Sequence, residues 1–122
     1  MSLRVLVCGG RMYANRNRIF EVLSALHRER GIGVILHGAA SGADLLSVAW
    51  ADKNGLPAIG FPANWAKDGK LAGQRRNQKI ISEGHPHLLV AFPGGNGTAE
   101  MIRFAKSERL EIIEVAGSIS SG

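Results

Sequence analysis

A chain of 122 residues with 45% hydrophobic content is the size of one domain and can bury a sizeable core. Fifteen Lys and Arg against ten Asp and Glu leave a formal net charge of +5, which favours anionic partners. No stretch approaches the roughly 20 apolar residues of a membrane span, and the one cysteine, Cys8, excludes an internal disulfide and suits the reducing cytoplasm, where the protein is expected.

Leu3–Cys8 reads as a strand, too short for a signal-peptide core and closed by Gly9 and Gly10. In the loop CGGRMY, Arg11 can clamp a phosphate bidentately. Cys8, at the end of an apolar strand, reads as a buried, inert thiol. Ile19, Val22, Leu23 and Leu26 mark a first helix that stops before Gly31, and Gly33–His37 is a second strand. The loop HGAASGAD then runs from His37 through Gly38 to Asp44. Ser41 and Asp44 have the spacing of a capping box, and a cap facing a cleft can also bond a ribose hydroxyl or phosphate. His37 reads as packed. The second helix, marked by Leu45, Leu46, Ala49 and Trp50, starts at Ser41 and stops at Gly55-Leu56-Pro57.

Ala58–Phe61 is a third strand. Trp65, in PANWAKDGK, either stacks on a base or packs its loop. The third helix runs from about Leu71 to Glu83, with Arg75 and Arg76 in its early part, one facing a ligand and the other solvent. His85 and His87 receive no role. Leu88–Phe92 is the fourth strand, followed by PGGNGT. There Gly94, Gly95 and Gly97 can take positive φ and admit a ligand to the backbone. Thr98, at the start of the fourth helix (about Thr98 to Arg109), serves as cap and offers a hydroxyl. The free N–H groups of that helix form an anion site. Glu111–Val115 closes the sheet. Residues 1–116 are expected to form the domain, and residues 117–122 a disordered tail. The chain shows no internal repeat and no metal-ligand cluster; no metal and no cofactor are expected.

Strand and helix alternate throughout, and the strands are near-continuously apolar. This is the pattern of a Rossmann-like, doubly wound, mostly parallel five-stranded α/β sheet with helices on both faces. Ligands of such sheets bind beyond the carboxyl ends of the strands. The four loops there carry Arg11, Arg16, Arg18, Lys67, Lys70, Arg75 and Arg76 against Asp44 and Asp68, while the rest of the chain balances at eight of each sign. The whole net charge is thus expected on one rim.

The succession GGR, GAASGAD, AGQRRN and FPGGNGT resembles the SLOG superfamily of Rossmann-like domains, and within it the small stand-alone YspA- or YpsA-related group. The likeness runs from about Leu3 to Val115. It implies a doubly wound fold that binds nucleotides or nucleotide-derived ligands, and, because members often pair, a homodimer. The superfamily includes the Lonely Guy phosphoribohydrolases, which cleave the N-glycosidic bond of nucleoside 5′-monophosphates; related members in DNA uptake bind single-stranded DNA. In the hydrolases the pattern is P-G-G-x-G-T-x-x-E. Pro93, Gly94, Gly95, Gly97 and Thr98 match it, but Met101 stands where the catalytic Glu belongs, with Glu100 one residue earlier. An Arg of the hydrolases, in an R-K-x-x-M context, aligns best with Arg76, or else with Arg75.

The expected ligand is therefore a nucleotide-like small molecule. Pro93–Thr98 would hold its phosphate, Arg11 and Arg76 would neutralise it, and Asp44 would contact ribose. The alternative is a phosphoribohydrolase with Glu100 as the catalytic carboxylate and Arg76 assisting. A second alternative is nucleic-acid binding through the basic rim, disfavoured by an aromatic content of 6%. No membrane partner is expected.

Overall fold

Five strands pair in parallel in the order β3-β2-β1-β4-β5: β1 (Leu3–Cys8), β2 (Ile32–His37), β3 (Ala58–Gly60), β4 (Leu88–Ala91) and β5 (Glu111–Glu114). The computed structural model describes residues 2–116. The tail expected at 117–122 lies outside them. The expected doubly wound α/β sheet is thus present. Three strands end one residue earlier than read from the sequence, at Gly60, Ala91 and Glu114. The backbone N–H groups of Phe61, Phe92 and Val115 nevertheless continue the ladder to His37, Cys8 and Ala91 at 2.8, 2.9 and 2.8 Å.

The inner strands are apolar over most of their length, broken by Arg4 in β1 and His37 in β2, because each face is covered. Val5 and Val7 of β1, Ile35 of β2, and Leu88 and Val90 of β4 point to one face. There they meet Ile19 and Leu23 of α1 (Arg16–Arg30) and Trp50 of α2 (Ala43–Lys53). Leu6, Cys8, Leu36, Leu89 and Ala91 point to the other, against Ile80, Met101 and Ala105. Burying one such large side chain stabilises the fold by about 1.5–3 kcal/mol. Trp50, fully buried, keeps its indole N–H satisfied by donating to Ser24 Oγ at 2.9 Å. Leu45, expected on the apolar face of α2, is instead 57% exposed. The buried stripe there runs through Ala43, Ser47, Trp50 and Ala51.

Local chemistry sets the helix ends. Asn15 Oδ1 accepts from the Arg18 N–H at 3.0 Å and starts α1; Gly31, at φ 74°, ends it. The stretch before the third expected helix is itself helical. A short α3 (Trp65–Asp68), capped by Asn64 Oδ1 on the Lys67 N–H, leads through a 3-10 turn (Gly69–Leu71) into α4 (Ala72–Lys79). The end of that expected helix is a π-helical turn, Ile80–Gly84, before β4. The last helix, α5 (Asn96–Ser107), begins two residues earlier than expected.

Candidate functional site

The chain runs from β1 through β2 to the β3 edge, then returns to the other side of β1 with β4. The carboxyl ends of β1 and β4 therefore mark the switch in strand order, where a doubly wound sheet leaves a crevice. A cleft of about 590 Å³ opens there, within the range of small-molecule sites. Of the residues expected to bind ligand, Gly9, Gly10, Arg11, Gly38, Ser41, Asp44, Arg76, Gly95, Gly97 and Thr98 all line it.

Three loops build the cleft by touching backbone to backbone. The Gly10 N–H donates to Pro93 C=O at 2.9 Å, and the Ala43 N–H donates to Gly10 C=O at 3.2 Å. Ser41 Oγ donates to Arg11 C=O at 3.2 Å. Several glycines serve this contact. A Cβ on Gly42, whose φ is 73°, would lie 2.5 Å from Arg11 O. A Cβ on Gly94 would lie 2.7 Å from Gly10 N and overlap the Thr98 hydroxyl.

This corrects the reading of PGGNGT in three ways. Among the described residues the positive-φ glycines are Gly31, Gly42, Gly55 and Gly69, and none is in that loop. Pro93 and Gly94 do not line the cleft: one bonds and the other packs against the neighbouring loops. Thr98 is no cap; Gly95 holds that position, and Thr98 lies inside α5, buried against Gly94. Gly95 and Gly97 are the open ones, since a Cβ on either would meet nothing within 4 Å. The first N–H groups of α5 have no carbonyl of their own helix to bond, and no side chain caps them. Gly95, Gly97 and Thr98 at that end line the same cleft as Arg11 and Arg76.

The capping box is corrected too. Gly42 occupies the cap of α2, and no side chain bonds there. Asp44 reaches back instead, its Oδ2 accepting from the N–H groups of Gly38 at 3.0 Å and Ala40 at 3.1 Å. That carboxylate pins the loop, in which Ala39 is held at a positive φ of 59°. Arg76 clamps it from the opposite side. Its Nη1 donates to Gly38 C=O at 2.9 Å and its Nε to Asn77 Oδ1 at 2.8 Å. Gly38 thus sits between the two charged groups and bonds to both. Burial raises the Asp44 pKa; the two N–H bonds and the charge of Arg76 oppose it without cancelling it. Burial likewise lowers the Arg76 pKa against the attraction of Asp44. Beneath them Cys8, buried as expected, has its thiol pushed up to about 12, chiefly by burial and then by the Asp44 charge. His37 is buried at the end of β2, its Nδ1 accepting from the Ala39 N–H at 3.0 Å, and burial lowers its pKa.

Besides Pro93 and Gly94, two more expected residues fall outside the cleft. Arg75 lies 100° or so around α4 from Arg76, exposed, its Nε 3.6 Å from Asp68 Oδ1. Glu100 is exposed and lines a separate depression with Gln74, Gln78 and Arg103. Met101 lines the cleft in its place, 5% exposed and part of the core beneath it. Among the residues lining the cleft, Asp44 is the one carboxylate. Trp65 joins the rim from α3, 56% exposed, so it does not merely pack its loop. Pro62 and Ala63, which also line the cleft, carry no chemical signal in the sequence beyond following a strand.

The expected basic rim is divided. Arg16 lies over the Phe20 ring at 4.1 Å and Arg18 pairs with Glu21, both away from the cleft. Among the described residues no group of three His, Cys, Asp or Glu is placed to hold a metal, and no helix is long and apolar enough to cross a membrane.

The family model described as "YspA, cpYpsA-related SLOG family" matches residues 3–67. The Gene 61 protein of Mycobacterium phage D29 is 33% identical over 120 residues, covering 90% of this chain and 94% of that protein. No solved structure matches the chain significantly.

Proposed function

From the premise that the chain belongs to the YspA, cpYpsA-related SLOG family, we propose that its cleft binds a nucleotide or nucleotide-derived ligand and holds it without cleaving it. The observation that carries this reading is the uncapped start of α5, opened by Gly95 and Gly97, in one cleft with Arg11 and Arg76. Backbone N–H groups, a helix dipole and two guanidinium groups together match a phosphate. Asp44 Oδ2 is taken by two backbone N–H groups, which leaves Oδ1 for a ribose hydroxyl. The half-exposed indole of Trp65 at the rim offers a face on which a base can stack.

Cleavage of an N-glycosidic bond builds positive charge on the ribose, and a carboxylate beside it must stabilise that charge and help activate water. Met101 can do neither, Glu100 faces another depression, and Asp44, the carboxylate of the cleft, is occupied in pinning the Gly38–Ala40 loop.

The test is titration of nucleoside 5′-monophosphates into the protein, followed by proton NMR for several hours. The expected result is that at least one binds and stays intact. Gly95→Val should weaken it at least about tenfold and lower the melting temperature only modestly, because a Cβ there meets nothing within 4 Å although valine is the poorer helix cap. Wild-type affinity in Gly95→Val, or no binding across the panel, overturns the assignment. Release of free base would make the protein a hydrolase.

A further inference from the structure

Beside the cleft lies a second depression of about 300 Å³, and Arg76 lines both. Its other charged residues are Lys67 of α3, Arg75 and Lys79 of α4, and Asp68. Four cations therefore converge on a concave surface with one acid. That acid sits nearest Arg75, and its side chain is only 18% exposed. Arg18 pairs with Glu21 and Arg30 with Glu111, and Arg16 lies over the face of Phe20. Lys67, Arg76 and Lys79 have no ion-pair partner among the described residues. Arg75 and Lys79 stand four residues apart on α4, where like charges repel. Lys67, Arg75, Arg76 and Lys79 nevertheless line one concavity together. Arg76 spends Nε and Nη1 on Asn77 and Gly38, which leaves Nη2 for a ligand at the boundary of the two cavities.

We propose that this depression is a second anion subsite, so that the ligand is a nucleotide bearing a second phosphate group beyond the one held at α5. The inference rests on the nucleotide reading of the cleft and names its ligand class. Lys67, Arg75 and Lys79 take the outer phosphate, and Arg76 stands between the two. A dinucleotide, or a nucleotide phosphorylated at both ends of its ribose, has this chemistry.

Calorimetry at low salt tests it with adenosine and guanosine probes of three kinds: the 5′-monophosphate, the 3′,5′-bisphosphate and the 5′-phosphorylated dinucleotide. The proteins are wild type, Gly95→Val and Lys67→Gln/Lys79→Gln; both lysines are exposed, so the double variant keeps its fold. A two-phosphate probe should bind wild type about tenfold or more tightly than the monophosphate, as a new charge-assisted contact provides. The lysine double variant should lose that gain and keep its monophosphate affinity within about twofold. A monophosphate that binds and is weakened by Gly95→Val, with no gain from a second phosphate or a gain the double variant retains, overturns the subsite alone. No binding by any probe overturns both readings. A single-stranded dodecamer that binds much more tightly than the dinucleotide, with affinity falling steeply in salt, overturns the small-ligand assignment in favour of nucleic acid.

Discussion

Gly38→Ala is the sharpest probe of the cleft, because one methyl group lands between its two charges. A Cβ at this position would lie 2.9 Å from Arg76 Cζ and 3.3 Å from Asp44 Oδ2, with Arg76 Nη1 closer still. Gly38 is not at positive φ, so alanine fits the backbone and the strain falls on the guanidinium. Arg76 is flexible enough to swing outward, but it then gives up its bond to Gly38 C=O. A hydrogen bond from a charged donor contributes about 1.5–3 kcal/mol, and replacing glycine by alanine recovers about 0.4–1 kcal/mol from the unfolded chain. The net loss is about 1–2 kcal/mol, or about 4–8 °C in melting temperature for a chain of this length. Scanning calorimetry measures the stability, and titration with the bound nucleotide should show about a tenfold loss of affinity as the phosphate loses Arg76. The double variant Gly38→Ala/Arg76→Ala should be no less stable than Arg76→Ala, since the clash has lost its partner. Wild-type stability in Gly38→Ala, or additive losses in the double variant, would refute the reasoning.

Burial holds the His37 imidazole below its ordinary 6.5, so on acidification the unfolded chain takes up a proton that the folded chain refuses. The stability tied to neutral His37 is whole above that value and declines below it. In His37→Asn, which keeps an acceptor for the Ala39 N–H, the stability lead of wild type should shrink between about pH 7 and 5 in urea titrations; parallel curves would refute the assignment. With its thiol at about 12 and buried, Cys8 should resist iodoacetamide at pH 8 in the native protein and react once urea unfolds it. Rapid native labelling, read by mass spectrometry, would contradict that burial. Glu100→Ala should leave nucleotide affinity within about twofold of wild type, since Glu100 lines another depression; a larger loss in the same titration would put it back in the cleft.

Strands were legible because sheets covered on both faces demand apolar residues at every inner position, and Val5–Cys8 and Leu88–Ala91 supply them without a break. The site was legible at the level of loops, because only the segments after strands reach the crevice. Which residue of a loop faces inward was not. Arg75 and Arg76, or Glu100 and Met101, differ by about 100° of helix rotation. Likeness to the hydrolase pattern favoured Arg76 over Arg75, but the periodicity of helices as short as α4 does not by itself fix which side reaches the crevice. The Ser41–Asp44 spacing fitted a capping box, yet the carboxylate found better donors in Gly38 and Ala40 once Gly42 turned the chain. The glycines of PGGNGT looked alike in sequence. Gly94 packs against its neighbours and Gly95 lies open, a difference made by loops more than fifty residues apart in the chain.

The pairing of β1 with β4 has a consequence for the order in which the protein comes into being. Val5 pairs with Leu88, and Cys8 with Ala91. During synthesis at about 5–20 residues per second, the first strand leaves the ribosome roughly 4–17 seconds before its second neighbour exists. Through that interval the β1-α1-β2-α2-β3 half can assemble, with one flank of what becomes the central strand unpaired and open to sticking. The crevice between β1 and β4 appears only when that flank is closed. A nascent chain that has made two-thirds of its length therefore has much of its fold but a pocket that still lacks the wall formed by Gly95, Gly97, Thr98 and Met101.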